Sequence, residues 1–323
     1  MTGSKLMADT GYAGAKTLIM GLGLHGGGLG AARFLARRGA EITVTDLRGA
    51  DELRPSVEAL DRFVRGVNGT PVRYKLGREH DVRDFTGADI VIKNPAVPAD
   101  SPFLRAARRV ETDISLFLKH NPARLTAVTG TKGKSFTSSA IHFTLKEAAR
   151  TAGRGGAFLG GNITVSPLEF VDELTAADDV VLELSSWQLG DLPSGLLKPA
   201  AAVITAIMRD HLNRYNSMEA YVADKRVVYR AQDGNDATIA GDDDWGRSFL
   251  SETRGRPCSY GVARDVCGGA FFDLASGACF AAGPVADLRR GETAQVVPSD
   301  VAVPGQHQKM NLMAAGLALL NLG

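Results

Sequence analysis

Seven consecutive residues, Thr129-Gly130-Thr131-Lys132-Gly133-Lys134-Ser135, combine the types needed to hold a polyphosphate. Glycines let a backbone wrap phosphate oxygens, and a lysine neutralises the β- and γ-phosphates. A hydroxyl at the amino end of the following helix can hold Mg²⁺. The general pattern G-x-x-x-x-G-K-[ST] would need glycine at Val128, so this loop is a shorter variant. Its physical logic survives the shortening, and it predicts that the chain binds ATP. A metal site beside such a loop needs a carboxylate at the end of a neighbouring strand. Glu183, closing the apolar run Val180-Val181-Leu182-Glu183, is placed for that role, although a lone Glu there could equally cap a helix. Asp210-His211-Leu212-Asn213-Arg214-Tyr215 also follows an apolar strand, where α/β proteins gather their ligand sites. It reads either as a metal or phosphate contact or as a solvated loop.

A second glycine turn comes earlier. Gly21-Leu22-Gly23-Leu24-His25-Gly26 fits G-x-G-x-x-G after a strand, and Asp46 follows about 20 residues on. By pattern alone this is a dinucleotide fingerprint, with helix amides facing a pyrophosphate. Three readings stay open: an NAD-type cofactor, another phosphorylated ligand, or a purely structural turn.

The elements that position these residues alternate. Thr17 to Met20 reads as a strand, Ala31 to Arg38 as a helix stopping at Gly39, and Glu41 to Asp46 as a second strand. Ala88 to Ile92 is a further strand; helices are expected over Phe103 to Val110 and Asp113 to His120. Leu125 to Val128 runs into the phosphate loop, and Ser135 to Ala149 is the helix after it. Asp179 to Leu184 and Ala200 to Thr205 read as buried strands, Ser217 to Ala231 and Lys309 to Leu320 as helices. Between Ala237 and Val303 short apolar pairs mix with glycine and charge, and the strands there cannot be placed. The class is α/β: a Rossmann-like N-terminal domain followed by a P-loop-type parallel-sheet ATPase domain. The expected divisions are a flexible tail over 1–15, a first domain over 16–112 and an ATP-binding domain over 113–323.

The chain of 323 residues is 44% hydrophobic and 23% charged, an ordinary globular composition that buries a core without disulfides or metals. A net charge of +1 gives no reason to expect nucleic acid or an anionic membrane as partner. Cys258, Cys267 and Cys279 match neither a zinc knuckle nor a disulfide framework, so reduced thiols in the cytoplasm are the simplest reading. No run of about 18 apolar residues predicts a membrane span, and the N-terminus has no signal-peptide core.

Taken together, these motifs resemble the Mur ligases and folylpolyglutamate synthases, which share the short loop at Gly130. The segment Leu182-Glu183-Leu184-Ser185-Ser186-Trp187-Gln188-Leu189 and the run from Asp210 to Tyr215, with Tyr221 to Lys225, are similar to the D-glutamate-adding branch of the Mur ligase family. Gly160-Gly161-Asn162-Ile163, Pro304-Gly305-Gln306-His307 with Asn311, and the Gly21 unit ending at Asp46-Leu47-Arg48 extend the match from Lys16 to the last residue. The resemblance implies peptidoglycan precursor synthesis by a cytoplasmic monomer. ATP would phosphorylate the carboxylate of UDP-N-acetylmuramoyl-L-alanine, and D-glutamate would attack the acyl phosphate.

It further implies that Gly130, Thr131, Lys132, Gly133, Lys134, Ser135 and Phe136 surround ATP, with Asn311 near its base. Lys134, Glu183, His211 and Lys225 would be catalytic. Two Mg²⁺ sites are implied, one at Ser135 and Glu183, the other at His211 and a carbamylated Lys225. Leu24, His25, Asp46 and Arg48 would hold the uridine diphosphate end, with Asn162 and Ser185 also on the substrate. Several positions depart from the family pattern: Lys132 for asparagine, Phe136 for a hydroxyl residue, Asn213 for aspartate and Gln308 for asparagine. His25 stands where a small hydroxyl residue is common, and Asn94-Pro95-Ala96 replaces a Ser-Pro-Gly turn. Family members carry a third domain that binds D-glutamate, so the chain is expected to be a truncated form that cannot complete ligation alone.

Overall fold

A computed structural model describes residues 11–24, 26–163, 165–210, 214–261 and 268–323. Its contacts divide the chain into two compact units. The first comprises residues 1–121 and 164–174, the second residues 122–163 and 175–323.

The first unit runs β1 (Lys16–Met20), α1 (Gly27–Arg37), β2 (Glu41–Asp46), α2 (Ala50–Gly66), β3 (Arg73–Leu76), α3 (Val82–Gly87), β4 (Ile90–Lys93), α4 (Pro102–Arg105), β5 (Val110–Glu111) and α5 (Asp113–His120). All strands are parallel, in the order β3-β2-β1-β4-β5. Leu18, Ile19, Ile42, Val44, Val91 and Ile92 are buried, as expected for central parallel strands covered on both faces. Each contributes about 1.5–3 kcal/mol by leaving water. The turn into α1 depends on glycine twice. Gly26 caps the helix at φ 91°, and a Cβ on Gly28 would lie 2.4 Å from the Gly21 carbonyl.

α2 is a 17-residue helix absent from the elements expected above. Pro55 lies inside it and charges dominate it, yet Leu53, Ser56, Leu60 and Val64 form a buried stripe at helical spacing. The helix expected over Phe103 to Val110 shortens to the single turn of α4, and Val110–Glu111 pairs as a strand instead. Nor is the tail loose throughout: Tyr12 is buried, stacks edge-on against Phe34 at 6.0 Å and shares a 3.1 Å hydrogen bond with His120. An aromatic that gains two partners in this way is ordered by burial. Residues 1–10 lie outside the described residues.

The unit boundary falls after Asn121 rather than after Thr112. α5 belongs with the first unit because Ile114, Leu116 and Phe117 bury their side chains and Thr112 closes a reciprocal cap with Ser115. Residues 165–174 join it too. There Phe170 meets Phe117 edge-on, while Glu169 pairs with Arg33 of α1 and Asp172 with Arg38, which caps that helix.

The second unit runs β6 (Arg124–Thr129), α6 (Lys134–Ala152), β7 (Ala157–Gly161), β8 (Asp179–Glu183), α7 (Ser186–Gly190), β9 (Ala201–Ile204), α8 (Met218–Lys225), β10 (Ala237–Gly241), α9 (Asp244–Glu252), β11 (Arg256–Gly261), β12 (Gly269–Phe272), β13 (Cys279–Ala282), β14 (Thr293–Val297) and α10 (Gly305–Leu322). Nine strands form one sheet, β14-β13-β12-β11-β10-β9-β6-β8-β7. It is mixed rather than wholly parallel, since β12, β13 and β14 pair antiparallel. The connection from Phe272 to Cys279 is too short for a parallel crossover, so a hairpin is the geometric outcome. The core beneath α6 and α10 gathers Val128, Ile141, Val181, Val203, Ile239, Met313 and Leu317. The α-helical part of α8 ends at Lys225, where the chain tightens into a 3₁₀ turn over Arg226–Val228, short of the expected Ala231. Cys258 and Cys279 are buried free thiols, whereas Cys267 lies outside the described residues.

Candidate functional site

In the second unit the phosphate loop leaves β6 at its carboxyl end. Gly130 takes φ 143° and Gly133 takes φ 92°, and the helix α6 begins at Lys134. Neither glycine has room for a side chain. A Cβ on Gly130 would lie 1.9 Å from the Thr205 hydroxyl, and one on Gly133 would lie 2.5 Å from Asn311 Oδ1. Asn311 therefore sits against Gly133 of the loop. It is buried, and its amide donates to Gln308 at 3.0 Å.

Thr131 faces inward. Its backbone amide donates to the Ala206 carbonyl at 2.8 Å, and its hydroxyl meets Met208 and the Tyr221 hydroxyl, the latter at 2.9 Å. Those bonds shape the loop and leave Gly133, Lys134 and Ser135 at the helix end. Lys132 and Ser135 are exposed and Phe136 is half-buried.

Two lysines converge on this loop. Lys134 Nζ donates to the Thr131 carbonyl at 3.0 Å; burial lowers its pKa against the pull of Glu183 and Asp210. Lys225 closes α8 at only 2% exposure, and its Nζ donates to the Gly130 carbonyl at 2.9 Å. The ammonium also lies 4.5 Å over the ring of Tyr221. Burial, with the like charge of Lys134, pushes its pKa down to about 7, although Asp210 and Asp224 oppose the shift.

Glu183 ends β8 at 1% exposure. Oε1 accepts from Asn162 Nδ2 at 3.1 Å, while Oε2 is buried with no hydrogen-bond partner. A buried carboxylate oxygen left unpaired costs folding free energy, so its retention points to a cation. A single carboxylate suits Mg²⁺, a hard cation that keeps waters and phosphate oxygens among its ligands. Asn162 is doubly tied to this strand, its amide donating to the Glu183 carbonyl at 2.8 Å. Ser185 caps α7 in a reciprocal box with Gln188, so its hydroxyl already serves the backbone.

Sequence reasoning left Asp210 open between a metal or phosphate contact and a solvated loop, and gave Tyr221 no role of its own. Asp210 acts electrostatically on both lysines, and Tyr221 links Thr131 to Lys225. The signal for Tyr221 was its i, i+4 spacing from Lys225 on one helix. Behind them Tyr215 meets Tyr221 edge-on at 5.3 Å and donates to half-buried Asp224 at 2.7 Å. His211 and Asn213 lie outside the described residues.

In the first unit the Gly21 turn is organised by Asp46. Its carboxylate accepts from the Leu22 amide at 3.0 Å and from the backbone and guanidinium of Arg48. Burial raises the Asp46 pKa, but the Arg48 contacts outweigh it and hold the carboxyl below its ordinary value. Ser56 donates to the Gly23 carbonyl at 2.8 Å. Leu24 and Leu47 are exposed apolar side chains on the same rim. His25 lies outside the described residues.

A phosphate-wrapping loop with paired lysines, a buried cation-seeking carboxylate and a separate glycine-turn unit define an α/β protein that handles polyphosphates. The chain belongs to the Mur ligase family: the Mur ligase middle domain matches residues 128–319, more than half of its length. A UDP-N-acetylmuramoylalanine–D-glutamate ligase of Treponema pallidum is 49% identical over 258 residues, covering 75% of this chain and 46% of that protein. The corresponding ligase of Geobacter metallireducens is 35% identical and covers 94% and 64% respectively. The chain therefore spans about half to two-thirds of the length of these relatives. Among solved structures, the UDP-N-acetylmuramate:L-alanyl-gamma-D-glutamyl-meso-diaminopimelate ligase of Neisseria meningitidis shares the fold, with a TM-score of 0.59 at 17% identity over 96% of this chain and 94% of that one. Among the described residues no helix is long and apolar enough to cross a membrane.

Proposed function

We propose that this chain carries the nucleotide-binding machinery of an ATP-dependent cytoplasmic ligase that joins D-glutamate to UDP-N-acetylmuramoyl-L-alanine in peptidoglycan precursor synthesis. The observation that supports it best is the desolvated Lys225 amine on the phosphate loop, beside Lys134 and Asp210, with the Glu183 carboxylate acting on Lys134. Carboxylates are poor electrophiles until an oxygen becomes a phosphate leaving group, and phosphoryl transfer is mostly positioning and charge neutralisation. The substrate carboxylate takes the γ-phosphoryl and ADP departs. The D-glutamate amine then attacks the acyl carbonyl, phosphate leaves and the amide forms.

Lys134 neutralises the γ-phosphate while Gly130 and Gly133 let the backbone close on it. Ser135 and Glu183 would hold one Mg²⁺, and His211 with Lys225 a second; bound there, the ions offset charge as the phosphoryl group moves. With a pKa near 7, Lys225 is partly free amine at neutral pH. That form adds CO₂ and loses a proton, giving a carbamate that binds cations where an ammonium cannot. Asn162 holds Glu183 and faces the substrate with Ser185. In the first unit Leu24, His25, Asp46 and Arg48 take the uridine diphosphate end.

Thermal shift with UDP-N-acetylmuramoyl-L-alanine, Mg-ATP and NAD⁺ in parallel tests this reading. Stabilisation by the first two is expected, because a ligand that binds only the folded state raises its stability. Stabilisation by NAD⁺ alone would overturn it.

A further inference from the structure

We infer that His80 is a positioning residue for the uridine-diphosphate end of the substrate, holding the carboxyl end of β2 from the face opposite Asp46. The inference rests on the proposed role of Asp46 and deepens it. His80 Nδ1 and the Thr45 hydroxyl are 2.8 Å apart, and Thr45 is only 2% exposed. Thr45 immediately precedes Asp46, and side chains alternate along a strand, so the two residues present opposite faces. The Thr45 carbonyl accepts from the Gly21 amide at 2.8 Å, and Asp46 accepts from the Leu22 amide at 3.0 Å. Both opening amides of the glycine turn thus hang on the dipeptide that His80 grips.

The imidazole itself is fixed. Phe85 and Phe103 meet it edge-on, at 5.9 and 5.4 Å between ring centres, and they stack with each other at 5.2 Å. Burial lowers its pKa, outweighing the pull of the Asp46 and Asp84 carboxylates. A neutral ring can exchange a single hydrogen bond with a hydroxyl without placing a full positive charge beside the Asp46–Arg48 pair. His80 belongs to the first unit and the phosphate loop to the second, so its effect is expected on substrate affinity and not on phosphoryl transfer. The Thr45 bond is one buried neutral hydrogen bond, which sets the size of effect to expect.

The test is UDP binding to the chain by calorimetry, with His80→Phe and His80→Asn variants. His80→Phe keeps the aromatic packing and deletes the bond to Thr45; His80→Asn restores a polar group near the position of Nδ1. UDP affinity is expected to fall roughly three- to tenfold in His80→Phe and to recover in His80→Asn. Mg-ATP affinity is expected to stay unchanged in both. Equal UDP affinity in the wild type and His80→Phe would overturn the inference, and so would equal losses of UDP and Mg-ATP affinity. Should the wild-type chain bind no UDP at all, the assignment of Asp46 and Arg48 fails first and this inference falls with it. Failure of His80→Asn to recover while its melting temperature matches the wild type would also count against the hydrogen bond.

Discussion

The molecule contains two glycine turns, each leading from the carboxyl end of a parallel strand into a helix, yet their side-chain surroundings are opposite. At Gly21 the turn is closed by an acid: Asp46 collects the Leu22 amide and is itself held by Arg48. At Gly130 the turn is closed by amines, with Lys134 and Lys225 both donating to its carbonyls. The backbone device offers amide donors in both places. What it can hold is decided by the charges around it. The acidic turn suits hydroxyl-bearing and partly neutral parts of a nucleotide, whereas the lysine-rich turn suits a polyphosphate with its metal. Spacing of glycines alone therefore misleads, and the residue that arrives from the next strand decides.

That contrast can be broken experimentally. The largest effect is expected at the amine-closed turn: Lys134→Ala should weaken Mg-ATP binding by about two orders of magnitude, roughly the value of a charge-assisted bond to phosphate. UDP binding should be unaffected, and calorimetry with each nucleotide checks both halves. A shared loss would show that the turns are not independent.

Gly28→Ala should destabilise the acid-closed turn by about 1–3 kcal/mol, because the new methyl meets the Gly21 and Leu22 carbonyls. A lowered melting temperature in the unliganded chain measures this. Glu183→Gln separates function from stability. Replacing a buried carboxylate whose Oε2 accepts no hydrogen bond among the described residues should raise the unliganded melting temperature, while Mg²⁺-dependent ATP affinity falls roughly tenfold. If both fall together, Glu183 is a structural acid.

The smallest effect concerns pH. Folded Asp46 titrates below its ordinary 3.8, so its pairing stabilises the fold above that value and the contribution is lost as pH falls further. Asp46→Asn should cost about 1 kcal/mol at neutral pH, the half-exposed Arg48 limiting the gain. It should also flatten the acid limb of the stability profile, which melting curves between roughly pH 2 and 5 would reveal.

Much of this was legible in the sequence. The strands β1, β2, β6, β8 and β9 are apolar runs bounded by glycine or acid, and the loop between β6 and α6 carries its own chemistry. α2 was hidden because Pro55 and a high charge content obscure a stripe of only four buried residues. The antiparallel edge of β13 and β14 escaped notice because its residues are small and the connecting turns carry little signal. Within the site, local motifs located Lys134 and Glu183. Asp210 and Tyr221 act through space, across elements far apart in sequence, and a linear reading cannot weigh them. The burial of Lys225 and the bonds of the Thr131 hydroxyl to Met208 and Tyr221 are likewise set by tertiary packing and carry no local signal.

The return of residues 165–174 to the first unit has a practical bearing on dissection. The chain crosses between units three times, so no single cut releases either one intact. A fragment ending at Asn121 would lose Leu168 and Val171, both buried, together with the acidic partners of Arg33 and Arg38. Independent expression of the first unit calls for splicing that short strip back on through a linker, or for a circular permutation that makes it contiguous.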